Sequence, residues 1–186
     1  MKKDRLEIAV HEAGHAVFRL VTFGSPGRCA VFAEKVGNAC GVCCGADDKP
    51  EQAAREVVDN ERDFSHLAGD LRGCLDAASL ALAGAAAVAL AKGTAHLLPD
   101  SGGGNQRDTA HVYEVGRLAF LENDGLLVDS FRRLAYRHSC AVLCRRMGAV
   151  RAIAEKLAEK GELSETEIAS IYADAISEKK ETEAEK

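Results

Sequence analysis

Residues 4–21 read DRLEIAVHEAGHAVFRLV, and this stretch decides how the rest of the chain is understood. Leu6, Val10, Val17 and Val21 recur at spacings of four or seven, the period of an amphipathic helix. The turn signal Gly24-Ser25-Pro26-Gly27 ends it. Within the helix lies His11-Glu12-Ala13-Gly14-His15. Residues four apart project from one helix face on successive turns, so both imidazoles can reach a single ion. Two histidines on a tetrahedral zinc sit at about 2.0–2.1 Å from it. Zinc lowers the pKa of its water towards about 7, and Glu12, beside the first histidine, is placed to take that proton as general base.

An H-E-x-x-H string arises by chance on the order of one or two times in a hundred in a chain this rich in His and Glu. Here it falls inside a predicted helix and is surrounded by small residues, Ala13, Gly14 and Ala16, which permit close approach by another element. Two histidines do not hold a catalytic zinc alone, and a third protein ligand is expected. The candidates are His66, His96, Asp100, Asp108, His111 and His138. Asp108 is favoured, because it follows the flexible Gly102-Gly103-Gly104 run and opens a helix. His111, one turn on, is the alternative.

The rest of the chain frames this motif. Cys29 to Phe32 and Gly41 to Cys44 are short β-prone runs separated by Gly37-Asn38, predicting a small sheet of two or three strands after the first helix. A charged surface helix is expected from about Glu51. Leu67 to Ala91 is helical and alanine-rich, ending near Gly93, and another helix runs from Asp108 to about Leu121. Further helices are expected from Leu126 to Arg146, with a break at Gly148, and on to Lys160. Ser164-Glu165-Thr166-Glu167 is a capping box that opens the last helix. Residues 1–176 form the expected domain, and the Lys/Glu-rich residues 177–186 are expected to be a disordered tail. The fold class is mainly α, in the α+β sense.

Composition excludes several alternatives. Hydrophobic residues are 47% and aromatics 5%, with no tryptophan, so the core must be built from Ala, Leu, Val and Ile in closely packed helices. The net charge of −5 provides no basic stripe, and nucleic acid is not an expected partner. No signal peptide is visible. The apolar run Ala77–Ala91 is read as a core helix too short to cross a membrane, and a cytoplasmic protein is expected. The seven cysteines are then mostly free thiols. Cys40-x-x-Cys43 has no second pair at zinc-knuckle spacing, since Cys140 and Cys144 are four apart; these two are read as buried packing. His66 and His138 lack partners at ligand spacing, and no Gly-Lys-Ser/Thr follows the glycine run as a phosphate loop requires.

From His11 to Val17 the sequence resembles the zinc helix of the FtsH-type AAA zinc metalloproteases, in their peptidase domain. The two β-prone runs fall where that family has short strands. Leu82-Ala83-Gly84-Ala85-Ala86-Ala87 resembles its "LGGRAAEE" helix, and Gly104-Asn105-Gln106-Arg107-Asp108 its "GASND" segment. Glu114 and Arg117 match in the following helix, and Leu163 to Ile168 resembles the start of its closing helix. The resemblance runs from about Leu6 to Tyr172. It implies a helical zincin-type domain that hydrolyses peptides or unstructured protein segments, with Asp108 as third zinc ligand. It also implies that Gly41, Val42 and Cys43 form an edge strand along which substrate lies. The family's ATPase and membrane segments have no counterpart, so a separate unfoldase or a homo-oligomer is the expected partner. Val88-Ala89 replaces the family's "EE", and Arg107 stands where it has Asn. A catalytically silent binding module, or a regulatory zincin that cuts one repressor, is the alternative.

Overall fold

A computed structural model describes residues 2–36, 39–45, 47–53, 65–96, 106–120 and 125–184. Among these the chain is mainly helical, with one small antiparallel sheet. The elements are α1 (Lys2–Phe23), β1 (Arg28–Val36), β2 (Ala39–Cys44), α2 (Leu71–Lys92), α3 (Gln106–Phe120), α4 (Gly125–Cys144), α5 (Met147–Lys160), β3 (Glu162–Leu163) and α6 (Glu165–Ala184). Helical structure also begins at Pro50–Ala53, as expected near Glu51. The glycine run 102–104, Asp100 and the Gly37-Asn38 turn lie outside the described residues.

Helix α1 is the axis of the molecule, packed against α2, α5 and the sheet. Most of the stripe read off the large residues faces the core, with Val17 buried and Val10 and Val21 packed against it. Ala9, Ala13, Ala16, Val17 and Phe18 are its buried apolar positions, while Leu6 is 43% exposed. A helix enclosed on several sides needs small residues where its neighbours cross most closely, and a stripe of Leu and Val does not mark those places. Gly14 is the closest crossing: a Cβ there would lie 2.5 Å from Ala87 Cβ and 2.7 Å from the Ala83 carbonyl oxygen of α2. The alanines of α2, from Ala83 to Ala87, are buried on the other side of this contact.

Helix α2 starts on Asp70, whose side chain accepts from the Gly73 N–H, and stops at Gly93 in the left-handed conformation. By length and composition it is apolar enough to cross a membrane, contrary to the expectation that its apolar run is too short. Half of its most apolar window is buried inside the molecule, however, as in a core helix.

The sheet has the order β2-β1-β3. Opposite pairs along β1 and β2 are Arg28 with Cys44, Cys29 with Cys43, Ala30 with Val42 and Val31 with Gly41. The third strand is only two residues, with Leu163 opposite Cys29 and Glu162 opposite Ala30. Among the described residues β2 therefore forms an edge. The Arg19 guanidinium of α1 secures its end by donating to the Cys44 carbonyl at 3.0 Å.

Toward the C-terminus two boundaries move. The break between α4 and α5 falls at Arg145-Arg146, and Gly148 lies inside the first turn of α5. The last helix continues to Ala184, where a disordered tail is expected from residue 177. Glu, Lys and Ala are strong helix formers and extend the helix without needing an apolar face. The capping box forms as expected: Glu167 accepts from the Ser164 N–H at 2.9 Å, and Ser164 Oγ accepts from the Glu167 N–H at 3.4 Å. All seven cysteines are free, but Cys144 is exposed rather than buried packing.

Candidate metal centre

The helical period brings His11 and His15 to the same side of α1, with ring centroids 4.8 Å apart and planes 74° to one another. Their Nε2 atoms converge to 3.1 Å. Asp108, in the first turn of α3, places Oδ2 3.4 Å from His11 Nε2. One donor atom from each of the three residues lies within 4.8 Å of the others. In a tetrahedron with bonds of 2.0–2.1 Å, ligand atoms are about 3.3–3.4 Å apart. Two of the three edges here are close to that separation. Two imidazoles and a carboxylate are also a donor set suited to zinc.

Helix α2 sets the orientation of both rings. His15 Nδ1 lies 2.8 Å from the Leu80 carbonyl oxygen. That contact is favourable only with the proton on Nδ1, which leaves the Nε2 lone pair facing His11 and Asp108. One turn above Leu80, Gly84 has no side chain, and a Cβ there would come within 2.5–2.6 Å of three atoms of the His11 ring. The missing side chain is the space that the imidazole occupies. Helix α3 is held in turn by α4: Tyr113 donates to Asp129 at 2.9 Å, and Gly116 admits Val128 and Phe131 to close contact.

The electrostatics agree with this arrangement. Burial alone would lower the His11 pKa, but the hydrogen bond to Asp108 and the charges of Glu12, Asp108 and Glu7 outweigh it and raise it. For Asp108 burial works upward, and the hydrogen bond to His11 with the charges of His15, His11 and His111 brings the carboxyl below its ordinary value. Glu12 is 7% exposed. Burial, opposed by His11 and reinforced by Asp108, lifts its carboxyl to about 7. A cation among the three donors would favour its ionised form.

Glu12 also meets the sheet edge. A Cβ on Gly41 would lie 2.9 Å from both Glu12 Cγ and Glu12 Oε1, and 2.8 Å from Ile8 Cγ2. Gly41 and Cys43, two apart on β2, therefore share the face turned toward α1. Val42 faces the other way.

Of the other candidate ligands, His111 adds charge near Asp108 but is not in the convergent set. His66 and His96 are exposed. His138 faces Ser79 Oγ at 3.1 Å and packs edge-on against Phe18, as a structural histidine does. Asp100 lies outside the described residues. The sequence did not point to Leu80 or Gly84. A backbone carbonyl has no letter, but a glycine within an alanine-rich helix costs about 1 kcal/mol relative to alanine and is a signal of close approach.

Compared with known proteins, the chain matches no family model, no curated protein and no solved structure.

Proposed function

We propose that this protein is a zinc-dependent endopeptidase of the helical zincin type, acting on peptides or unstructured protein segments. The convergence of His11, His15 and Asp108 beside the buried carboxylate of Glu12 carries this reading. Zinc bound by these three residues would supply Lewis acidity at a peptide carbonyl and acidify water. The protein's own residues do the rest. His11 and His15 are held in place by Gly84 and the Leu80 carbonyl, Asp108 contributes the negative donor, and Glu12 takes a proton from the attacking water and returns it to the leaving amine. Among the described residues no strand pairs with the outer side of β2 from Gly41 to Cys43, and an extended peptide can lie there as an added strand. Such pairing requires a substrate without its own structure, delivered as a flexible segment, by a separate unfoldase or by an assembly of copies. A soluble, cytoplasmic setting belongs to the same proposal, and the half-buried state of α2 supports its soluble part.

Glu12→Gln tests the proposal, because it keeps the shape of the side chain and removes the base. Wild-type protein loaded with zinc should cleave a library of unstructured peptides, and the variant should keep its zinc and lose at least a hundredfold in rate. Equal cleavage by both would refute the assignment of Glu12. A second reading is a zinc-holding binding module, motivated by Val88 and Ala89 standing where the resembled family carries two acids. Zinc retained without cleavage of any peptide would favour it.

A further inference from the structure

Cys29 and Cys43 stand directly opposite each other in the antiparallel pair of β1 and β2. Opposite residues in such a ladder share a face, with Cα atoms about 4.5–5.5 Å apart. Disulfides span about 4.4–6.8 Å between Cα atoms. Cys29 is 0% exposed, and its thiol reaches the Glu12 carbonyl oxygen at 3.6 Å. Cys43 is only partly buried, on the edge strand, with its thiol 3.6 Å from the Pro26 carbonyl. The adjacent Cys44 turns to the other face, where its thiol reaches the Arg28 carbonyl. Neither Cys29 nor Cys43 has a part in the chemistry assigned to His11, Glu12, His15 and Asp108.

We propose that Cys29 and Cys43 are a modification site, a cross-strand dithiol that a hydroperoxide converts to a disulfide beneath Glu12. Cys43, the accessible member, reacts first. Its thiolate attacks the peroxide, the O–O bond breaks, and Cys43 becomes a sulfenic acid as one alcohol or water leaves. The Cys29 sulfur then attacks the Cys43 sulfur, the S–OH bond breaks, and its oxygen leaves as water carrying the Cys29 proton. In total two thiols and one hydroperoxide give one disulfide, one alcohol and one water. The thiols lose two electrons and the peroxide gains them. Burial restricts Cys29 to the resolving role, because an oxidant cannot reach it but Cys43 can. The bond would tie β2 to β1 and withdraw the thiol that Cys29 offers to the Glu12 carbonyl.

The test needs neither metal nor substrate. Folded protein is treated with one equivalent of hydrogen peroxide, and its thiols are counted and its peptides mapped without reduction. Cleavage after Arg28, Lys35 and Arg55 separates Cys29 from the peptide bearing Cys40, Cys43 and Cys44, and fragmentation tells those three apart. Two of the seven thiols should be lost together, with Cys29 linked to Cys43, and dithiothreitol should restore both. Cys43→Ser should abolish this loss while the circular dichroism of the protein stays the same. If that variant does not fold, the wild-type peptide map alone decides. Seven surviving thiols, a sulfinic acid on Cys43 with Cys29 free, or Cys29 linked to Cys40 or Cys44 would each overturn the proposal.

Discussion

At position 84 a methyl group would enter the imidazole of His11, and this makes a substitution that normally helps a helix damaging. Glycine to alanine inside a helix stabilises by about 1 kcal/mol through propensity alone. For Gly84→Ala, we expect retained or raised thermal stability of the metal-free protein, with zinc affinity weakened about 10–100-fold, as for other losses of ligand support. Competition with a chromophoric chelator measures it, and unchanged affinity would show that the His11 ring does not depend on this space. The donors themselves were legible in the sequence, because histidines four apart on a helix have few other reasons to converge. Asp108 was favoured among several candidates by pattern, as the residue that opens a helix after a glycine run, with His111 as the alternative, and the resemblance pointed to the same residue. The Leu80 carbonyl was invisible, since every residue has one and only the helix crossing selects it.

Among the elements, the start of α6 was read correctly because a capping box is local chemistry. Ser164 and Glu167 satisfy each other's backbone N–H groups without help from the rest of the fold. The Lys160 ammonium, followed by the Ser164 N–H and hydroxyl, brings the Glu167 carboxyl from the ordinary 4.5 to about 2. A group lowered on folding contributes stability above its unfolded pKa and loses it as pH falls through the folded one. Replacing Glu167 by Gln should therefore cost stability at pH 6, and the difference should shrink as pH falls from about 4.5 towards 2. Urea unfolding of both proteins across that range measures it. The pair is at the surface, so salt should also diminish the difference, and a gap constant with pH would exclude the charge as its cause. The break at Arg146 and the strand β3 were not legible. Two residues are too short for a period, and β3 exists only because β1 offers it an edge.

Across the whole molecule, the arrangement joins parts of the chain that are far apart in sequence. Helix α1 provides both histidines and Glu12, α2 orients the rings, and α3 supplies the Asp108 carboxylate. The mainly helical class and the small sheet followed from composition and periodicity. The small residues Ala13, Gly14 and Ala16 marked a close approach to α1, but which helix makes it was not legible, because only the fold selects the alanines of α2 that meet them. Zinc bridging α1 and α3 would stabilise the folded state by mass action, since the unfolded chain holds no such site. The most direct measurement is the metal content of the purified, zinc-loaded protein beside the His11→Ala, His15→Ala double variant and Asp108→Ala. About one zinc per chain is expected in the wild type, none retained in the double variant and a strongly weakened site in Asp108→Ala. A full zinc complement in the double variant would contradict the site.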